Sequence, residues 1–219
     1  MTRTSRRMLL QTAGSLAATA ALPAGAAELI ATPPQTSGPF YPLSLPLDAD
    51  NDLIVVKGRP ERAAGTILHL AGRVLDADGR PVRGARVEIW QCDAFGVYHH
   101  SRDRRGPPDA NFQGFGYTIV DGLGAYRFRT IEPVPYPGRT PHIHFRIVGP
   151  GFEPLITQMY VAGQPLNQGD GLYRRLGAKA RLVTVDLEPA PELELEAKSG
   201  AKRATFDIVL GPDGVPSQG

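Results

Sequence analysis

The chain has 219 residues, with 24 Lys and Arg against 22 Asp and Glu, and a single cysteine. This near balance, with no basic stripe interleaved by aromatics, excludes a nucleic-acid surface, and the lone Cys92 excludes an intrachain disulfide. Stability must come from a hydrophobic core, and the length suffices for one such core in a single domain.

Residues 1–26 hold no acid, a twin arginine at Arg6-Arg7, an apolar run to about Ala21 and small residues at Ala24-Gly25-Ala26. This pattern predicts an export signal of the twin-arginine type, cleaved near Ala26, that delivers an already folded protein to the periplasm. Its loss would remove Arg3, Arg6 and Arg7, turning the net charge from +2 to −1. The apolar run is too short to stay as a spanning helix, and no other segment has eighteen consecutive apolar residues, so no stable membrane insertion is expected.

Residues 27–65 are expected to form an extended arm, because Thr32 to Pro42 is too rich in proline for helix or central strand. From residue 66 to 212 the pattern changes to short runs of period two. These are Ile67 to Leu75, Ala85 to Cys92, Tyr117 to Val120, Ala125 to Arg129, His142 to Val148, Leu155 to Val161, Leu182 to Leu187 and Ala204 to Leu210. Turn signals such as Asp78-Gly79, Asp121-Gly122 and Pro150-Gly151 separate them, and 25 Gly with 21 Pro leave little room for long helices. The predicted class is all-β: an antiparallel β-sandwich core with long irregular loops, an extended N-terminal arm and a tail at 213–219. Cys92, following Trp90 in an alternating run, reads as a small buried hydrophobe.

Chemistry concentrates in Tyr136-Pro-Gly-Arg139-Thr-Pro-His142-Ile-His144. On a strand, His142 and His144 share one face while Ile143, Phe145 and Ile147 pack the other. Two readings follow: a pair of imidazoles pre-positioned for a metal, or a polar strand face turned to water. Pro135 and Pro137 stiffen the backbone around Tyr136, and six residues span at most ~20 Å, so a loop that doubles back brings its phenol to the imidazoles. Tyr98, after the Trp90 strand, is a second phenol candidate. Alone, either tyrosine reads as an amphipathic surface anchor; with the histidines they make a hard N/O donor set. A phenol with a pKa near 10 becomes a phenolate at neutral pH only beside a strongly Lewis-acidic ion, which Fe(III) is. Zinc with sulfur ligands has no cysteines to use. His69 reads as a structural strand residue, and of His99 and His100 at most one can face the pocket.

The ordered motifs resemble the intradiol ring-cleavage dioxygenases, within them the protocatechuate 3,4-dioxygenase type. The matching elements are Thr32 to Tyr41, the hairpin from Gly72 through Gly79-Arg-Pro-Val to Trp90-Gln91, Gly96-Val-Tyr98, and Tyr136-Pro-Gly-Arg139-Thr-Pro-His142-Ile-His144-Phe, continuing to Gln158. The hairpin alone also suits sandwich modules that catalyse nothing. The resemblance implies non-haem Fe(III) held by Tyr98, Tyr136, His142 and His144, with Tyr136 the axial ligand that leaves when substrate binds. It implies Arg139 against the bound ring and Gln158 in the same pocket, where the plainer readings are a surface ion pair and a solvated strand residue. The implied reaction opens a small aromatic diol between its two hydroxyls with O2, giving a cis,cis-muconate-type diacid. Protocatechuate enzymes pair two different subunits, and a homo-oligomer of this chain is an open state. Two rivals remain at this stage: a non-catalytic exported sandwich module, and a copper or zinc protein using only His142 and His144.

Overall fold

The computed structural model describes residues 29–46, 48–191, 196 and 200–211; the expected signal at 1–26 and tail at 213–219 lie outside them. Strand dominates. The elements are β1 (Ile67–Leu75), β2 (Arg86–Trp90), β3 (Phe115–Ile119), β4 (Ala125–Ile131), β5 (His142–Gly149), β6 (Phe152–Val161), β7 (Thr184–Val185), β8 (Glu188–Pro189), β9 (Lys202–Thr205) and β10 (Ile208–Val209). Between β6 and β7 lie a 3-10 turn at Pro165–Gln168, the five-residue helix α1 (Gly171–Arg175) and a second 3-10 turn at Gly177–Leu182. The two sheets have five strands each: β1 with β4 on one side and β9 and β10 on the other, β8 beyond β9; and the order β3-β2-β5-β6-β7.

The all-β expectation holds, but the sheets are mixed rather than antiparallel. β9 and β10 run parallel to β1, and β7 parallel to β6. A hydrophobic period of two is the same in either direction, so alternation alone could not distinguish them. The expected strand Ala204 to Leu210 is broken at Phe206-Asp207, where the Asp207 carboxylate takes both the Arg73 backbone N–H and its guanidinium, each at 2.9 Å. The expected Leu182 to Leu187 strand shrinks to two residues because the 3-10 turn takes its start.

Alternation sorts the side chains. Leu68, Leu70 and Val74 of β1, Phe128 of β4, Val87 and Ile89 of β2, and Ile143, Phe145 and Ile147 of β5 all enter one buried cluster, so both sheets feed the same core. The burial of each large apolar side chain is worth roughly 1.5–3 kcal/mol. Close backbone approach at the β9–β10 break rests on Gly72: a Cβ there would lie 2.0 Å from the Phe206 carbonyl oxygen, which also accepts the Tyr126 hydroxyl at 2.5 Å. Gly72→Ala should therefore force the backbones apart and lower unfolding stability by about 3 kcal/mol, read as a drop in urea midpoint at constant slope.

Candidate metal centre

The opposite face of the β2-β5-β6 layer carries the chemistry. Trp90 is paired with His144 and Glu88 with Arg146 across β2 and β5, while Gln158 is paired with His144 and Tyr160 with His142 across β5 and β6. Residues directly opposite share a face, so the register alone sets an indole and an amide on either side of His144. The indole stacks on the imidazole, with ring centroids 4.7 Å apart and planes 7° from parallel. Glu88, fully buried, accepts from Arg86, from Arg146 at 3.2 Å and from the Tyr41 hydroxyl at 2.8 Å, which ties residue 41 across this face.

His142 and His144 are 1% and 2% exposed, which removes the solvated-face reading of the pair. Tyr98 and Tyr136 arrive from two loops and converge on them. The ring centroids of His142 and His144 are 4.9 Å apart, Tyr136 is 5.5 Å from His142, Tyr98 is 6.4 Å from His144, and the two phenol rings are 5.6 Å apart. The loops can approach because Gly96, at φ +78°, has no side chain where a Cβ would meet the Pro135 carbonyl at 3.2 Å. The His142 Nδ1 lies 2.6 Å from the Thr140 carbonyl, which leaves Nε2 free. That Nε2, the His144 Nδ1 and the Tyr98 hydroxyl are all buried without a hydrogen-bond partner. Three orphaned polar atoms on these neighbouring rings would each cost about 1–3 kcal/mol unless something else satisfies them.

The electrostatics fit a strongly acidic cation. Burial, helped by Arg139, depresses His142 to about 4, and burial, helped by His142 and Arg139, holds His144 well below the usual imidazole range. Both rings are thus neutral, with lone pairs available. Burial and the neighbouring Tyr136 push the Tyr98 phenol well above its ordinary value; burial also raises Tyr136, with Arg139 acting against it. Only an ion that overcomes this desolvation can hold phenolates here. Among the described residues no third His, Cys, Asp or Glu joins His142 and His144, so the further protein donors beside them are the tyrosine oxygens.

A family model described as Dioxygenase matches residues 36–212. The chain is also 39% identical over 186 residues to the protocatechuate 3,4-dioxygenase beta chain of Burkholderia cepacia, covering 79% of this chain and 76% of that one. The chain belongs to the intradiol ring-cleavage dioxygenases. The hydroxyquinol 1,2-dioxygenase of Corynebacterium glutamicum is 34% identical over 68% of this chain, which spans 55% of that protein's length. Among solved structures, the dioxygenase domain of a dioxygenase and carbohydrate-binding fusion from Streptomyces sp. SirexAA-E superposes with a TM-score of 0.64 at 28% identity, over 83% of this chain and 99% of that one. Catechol 1,2-dioxygenase from Acinetobacter sp. superposes at 0.62 with 30% identity, over 86% and 66%.

For this intradiol dioxygenase, the chain brings all six sequence-selected residues into one neighbourhood. Arg139 is no surface ion pair: its Nε donates to the fully buried Asp170 carboxylate at 2.8 Å, Nη2 to Gln158 Oε1 at 2.5 Å, and Nη1 to the Tyr136 hydroxyl at 3.4 Å. Gln158 is 0% exposed and not solvated; its amide N–H donates to the Thr36 carbonyl at 2.9 Å. Tyr136, Gly138, Arg139, Thr140, Leu166, Gly169 and Asp170 line a cleft of about 190 Å³ beside the rings. His99 and His100 stand apart from the imidazole pair: His99 Nε2 lies 2.9 Å from the Asp109 carbonyl and His100 is edge-on to Phe40 at 5.8 Å. His69 pairs with Glu196 at 2.5 Å, a structural role as expected. Cys92 is 1% exposed, its thiol pushed up to about 12 by burial.

Sequence reasoning missed Trp90, Phe40, Arg105 and Asp170. Phe40 stacks on Tyr98, with centroids 4.5 Å apart, and stands edge-on to Tyr136 at 6.3 Å. Arg105, paired with Asp103, lies over the Tyr136 ring at 4.6 Å, and Asp103 also accepts the Tyr98 backbone N–H at 2.7 Å. Burial raises the Asp170 carboxyl, but Arg139 and the backbone N–H groups of Thr140 and Tyr173 outweigh it and hold it below the usual range. Phe40 stood inside the Thr32 to Tyr41 motif, and Trp90 was one strand register away from His144; Asp170 had no chemical signature beyond a polar residue before a helix.

Proposed function

We propose that the chain is a non-haem Fe(III) intradiol dioxygenase that opens a catechol-type ring between its two hydroxyls, placing both atoms of O2 in a cis,cis-muconate-type diacid. The observation that carries this is the convergence of Tyr98, Tyr136, His142 and His144 with three buried, unpartnered donor atoms. These residues fit the metal: two neutral imidazoles and two phenolates form a hard donor set that with one hydroxide balances a trivalent ion. Ferric iron, when bound, supplies the Lewis acidity that keeps phenolates at neutral pH and makes a bound catecholate reactive toward O2.

The protein's own groups do the rest. Tyr136 is the less buried phenol, on a turn closed by the Arg139 N–H to the Tyr136 carbonyl at 2.9 Å, and it can swing aside to admit substrate. As a phenolate it takes one of the two catechol protons. Arg139, whose charge does not titrate, faces Tyr136 and stabilises negative charge developing in the ring. Gln158 fixes Arg139 from the strand, and Phe40 covers Tyr98 against water. We further read the two sheets as the faces of a β-sandwich, residues 27–65 as an extended arm over it, and residues 1–26 as a twin-arginine signal that exports the protein folded.

Iron-loaded protein should consume O2 with at least one member of a catechol panel, and mass spectrometry should find the ring opened between the hydroxyl-bearing carbons. Opening outside the two hydroxyls, or no turnover with any catechol, would overturn the reading.

A further inference from the structure

Arg139 is useful only if its guanidinium keeps one orientation, and a long cationic side chain does not do so unaided. In this protein its planar fork is pinned along one edge by a residue outside the four-ring cluster. Asp170, 1% exposed, follows the 3-10 turn and caps α1. Each of its carboxylate oxygens is fully used. Oδ1 accepts the N–H groups of Leu172 at 2.8 Å and Tyr173 at 3.1 Å; Oδ2 accepts Thr140 N–H at 3.0 Å and Arg139 Nε at 2.8 Å. One side chain thus fastens the helix, the backbone just after Arg139 and the guanidinium itself. With Nε held there and Nη2 on Gln158, Nη1 is the corner left facing Tyr136.

We propose that Asp170 is a positioning residue for the ring-opening reaction, acting through Arg139 by aiming Nη1 at Tyr136. This rests on the role given to Arg139 above. An amide cannot replace the carboxylate: it offers one oxygen where two oxygens each receive two N–H donors, so one pair of donors would face an NH2 group. A serine keeps the capping oxygen for Leu172 and Tyr173 but is too short to reach Arg139 as well.

The test compares Asp170→Ser and Asp170→Asn in the native background and in Arg139→Ala, all iron-loaded. In the native background each should lower kcat by about 10- to 100-fold, the range typical of residues that orient a working group. The anaerobic dissociation constant for catechol should change less than threefold. In the Arg139→Ala background the same substitutions should change kcat less than twofold, because the group they orient is gone. An equal loss in both backgrounds, or none in the native one, overturns the proposal. A second readout needs no turnover: in metal-free protein, phenylglyoxal should label Arg139 at least about tenfold faster in Asp170→Ser than in the native chain, with Arg105 unchanged as internal reference. Unchanged labelling of Arg139 overturns the proposal even if the native enzyme opens no catechol, and that latter failure belongs to the reading of function. Should Asp170→Asn lose its cooperative thermal transition, the Asp170→Ser comparison decides alone.

Discussion

Tyr98→Phe is expected to give a protein of weakened colour that is at least as stable without metal as the native chain. The two halves of this outcome have one cause. The Tyr98 hydroxyl is buried and has no hydrogen-bond partner, so deleting it removes a desolvated polar atom and should stabilise the metal-free fold by about 1 kcal/mol. Phenylalanine fills the same space and keeps the stacking on Phe40. Yet the same deletion takes one of two phenolate oxygens from the iron. Losing an outer partner of a ligand already costs roughly 10- to 100-fold, so losing the ligand itself should cost on the order of a thousandfold in activity. The charge-transfer absorption should lose the contribution of this tyrosinate, and Tyr136→Phe should remove the remainder. Thermal unfolding of the metal-free proteins, iron content and visible spectra together decide it. If both variants keep their metal and colour, a copper or zinc protein built on His142 and His144 alone becomes the better account.

Arg139→Ala is expected to spare the iron and nearly abolish turnover. The guanidinium touches Tyr136 and hydrogen-bonds to no imidazole; its partners are Asp170, Gln158 and the Tyr136 phenol. Removing an oriented charge that stabilises a developing anion typically costs about 100- to 1,000-fold in kcat. Arg139→Lys should recover little, because a point charge cannot satisfy the buried carboxylate and the buried amide together as a planar fork does. Iron content and the visible band should stay near native in both variants. Steady-state kinetics beside metal analysis reads this directly; a variant that loses metal in proportion to activity would show Arg139 to be structural.

Much of this site was legible because its information is local. His142 and His144 announce themselves by their spacing, since a strand period of two both pairs them and sends Ile143, Phe145 and Ile147 to the core. β1 was found with its full bounds, because nine residues of alternation lie between clear turn signals. What was not legible depends on partners far along the chain. Nothing near Asp170 says that Arg139 is 31 residues away in sequence and 2.8 Å away in space. Strand direction for β7, β9 and β10 is likewise set by how the chain returns from α1, not by which residues alternate. The same holds for the break at Phe206-Asp207, which exists because a side chain takes over a ladder bond at Arg73.

The way residues 35–41 lie across β6 and the rings bears on when the site can close during synthesis. Gln35 donates to the Gln158 carbonyl 123 positions later, and its own amide oxygen receives the Tyr160 hydroxyl. Residues 35–41 therefore leave the ribosome well before the strand that seats them. At roughly 5–20 residues per second, they must wait on the order of ten seconds for their dock to be made. Until β6 is made this segment has no seat, so Phe40 can settle over Tyr98 only once His142 and His144 have themselves been synthesised.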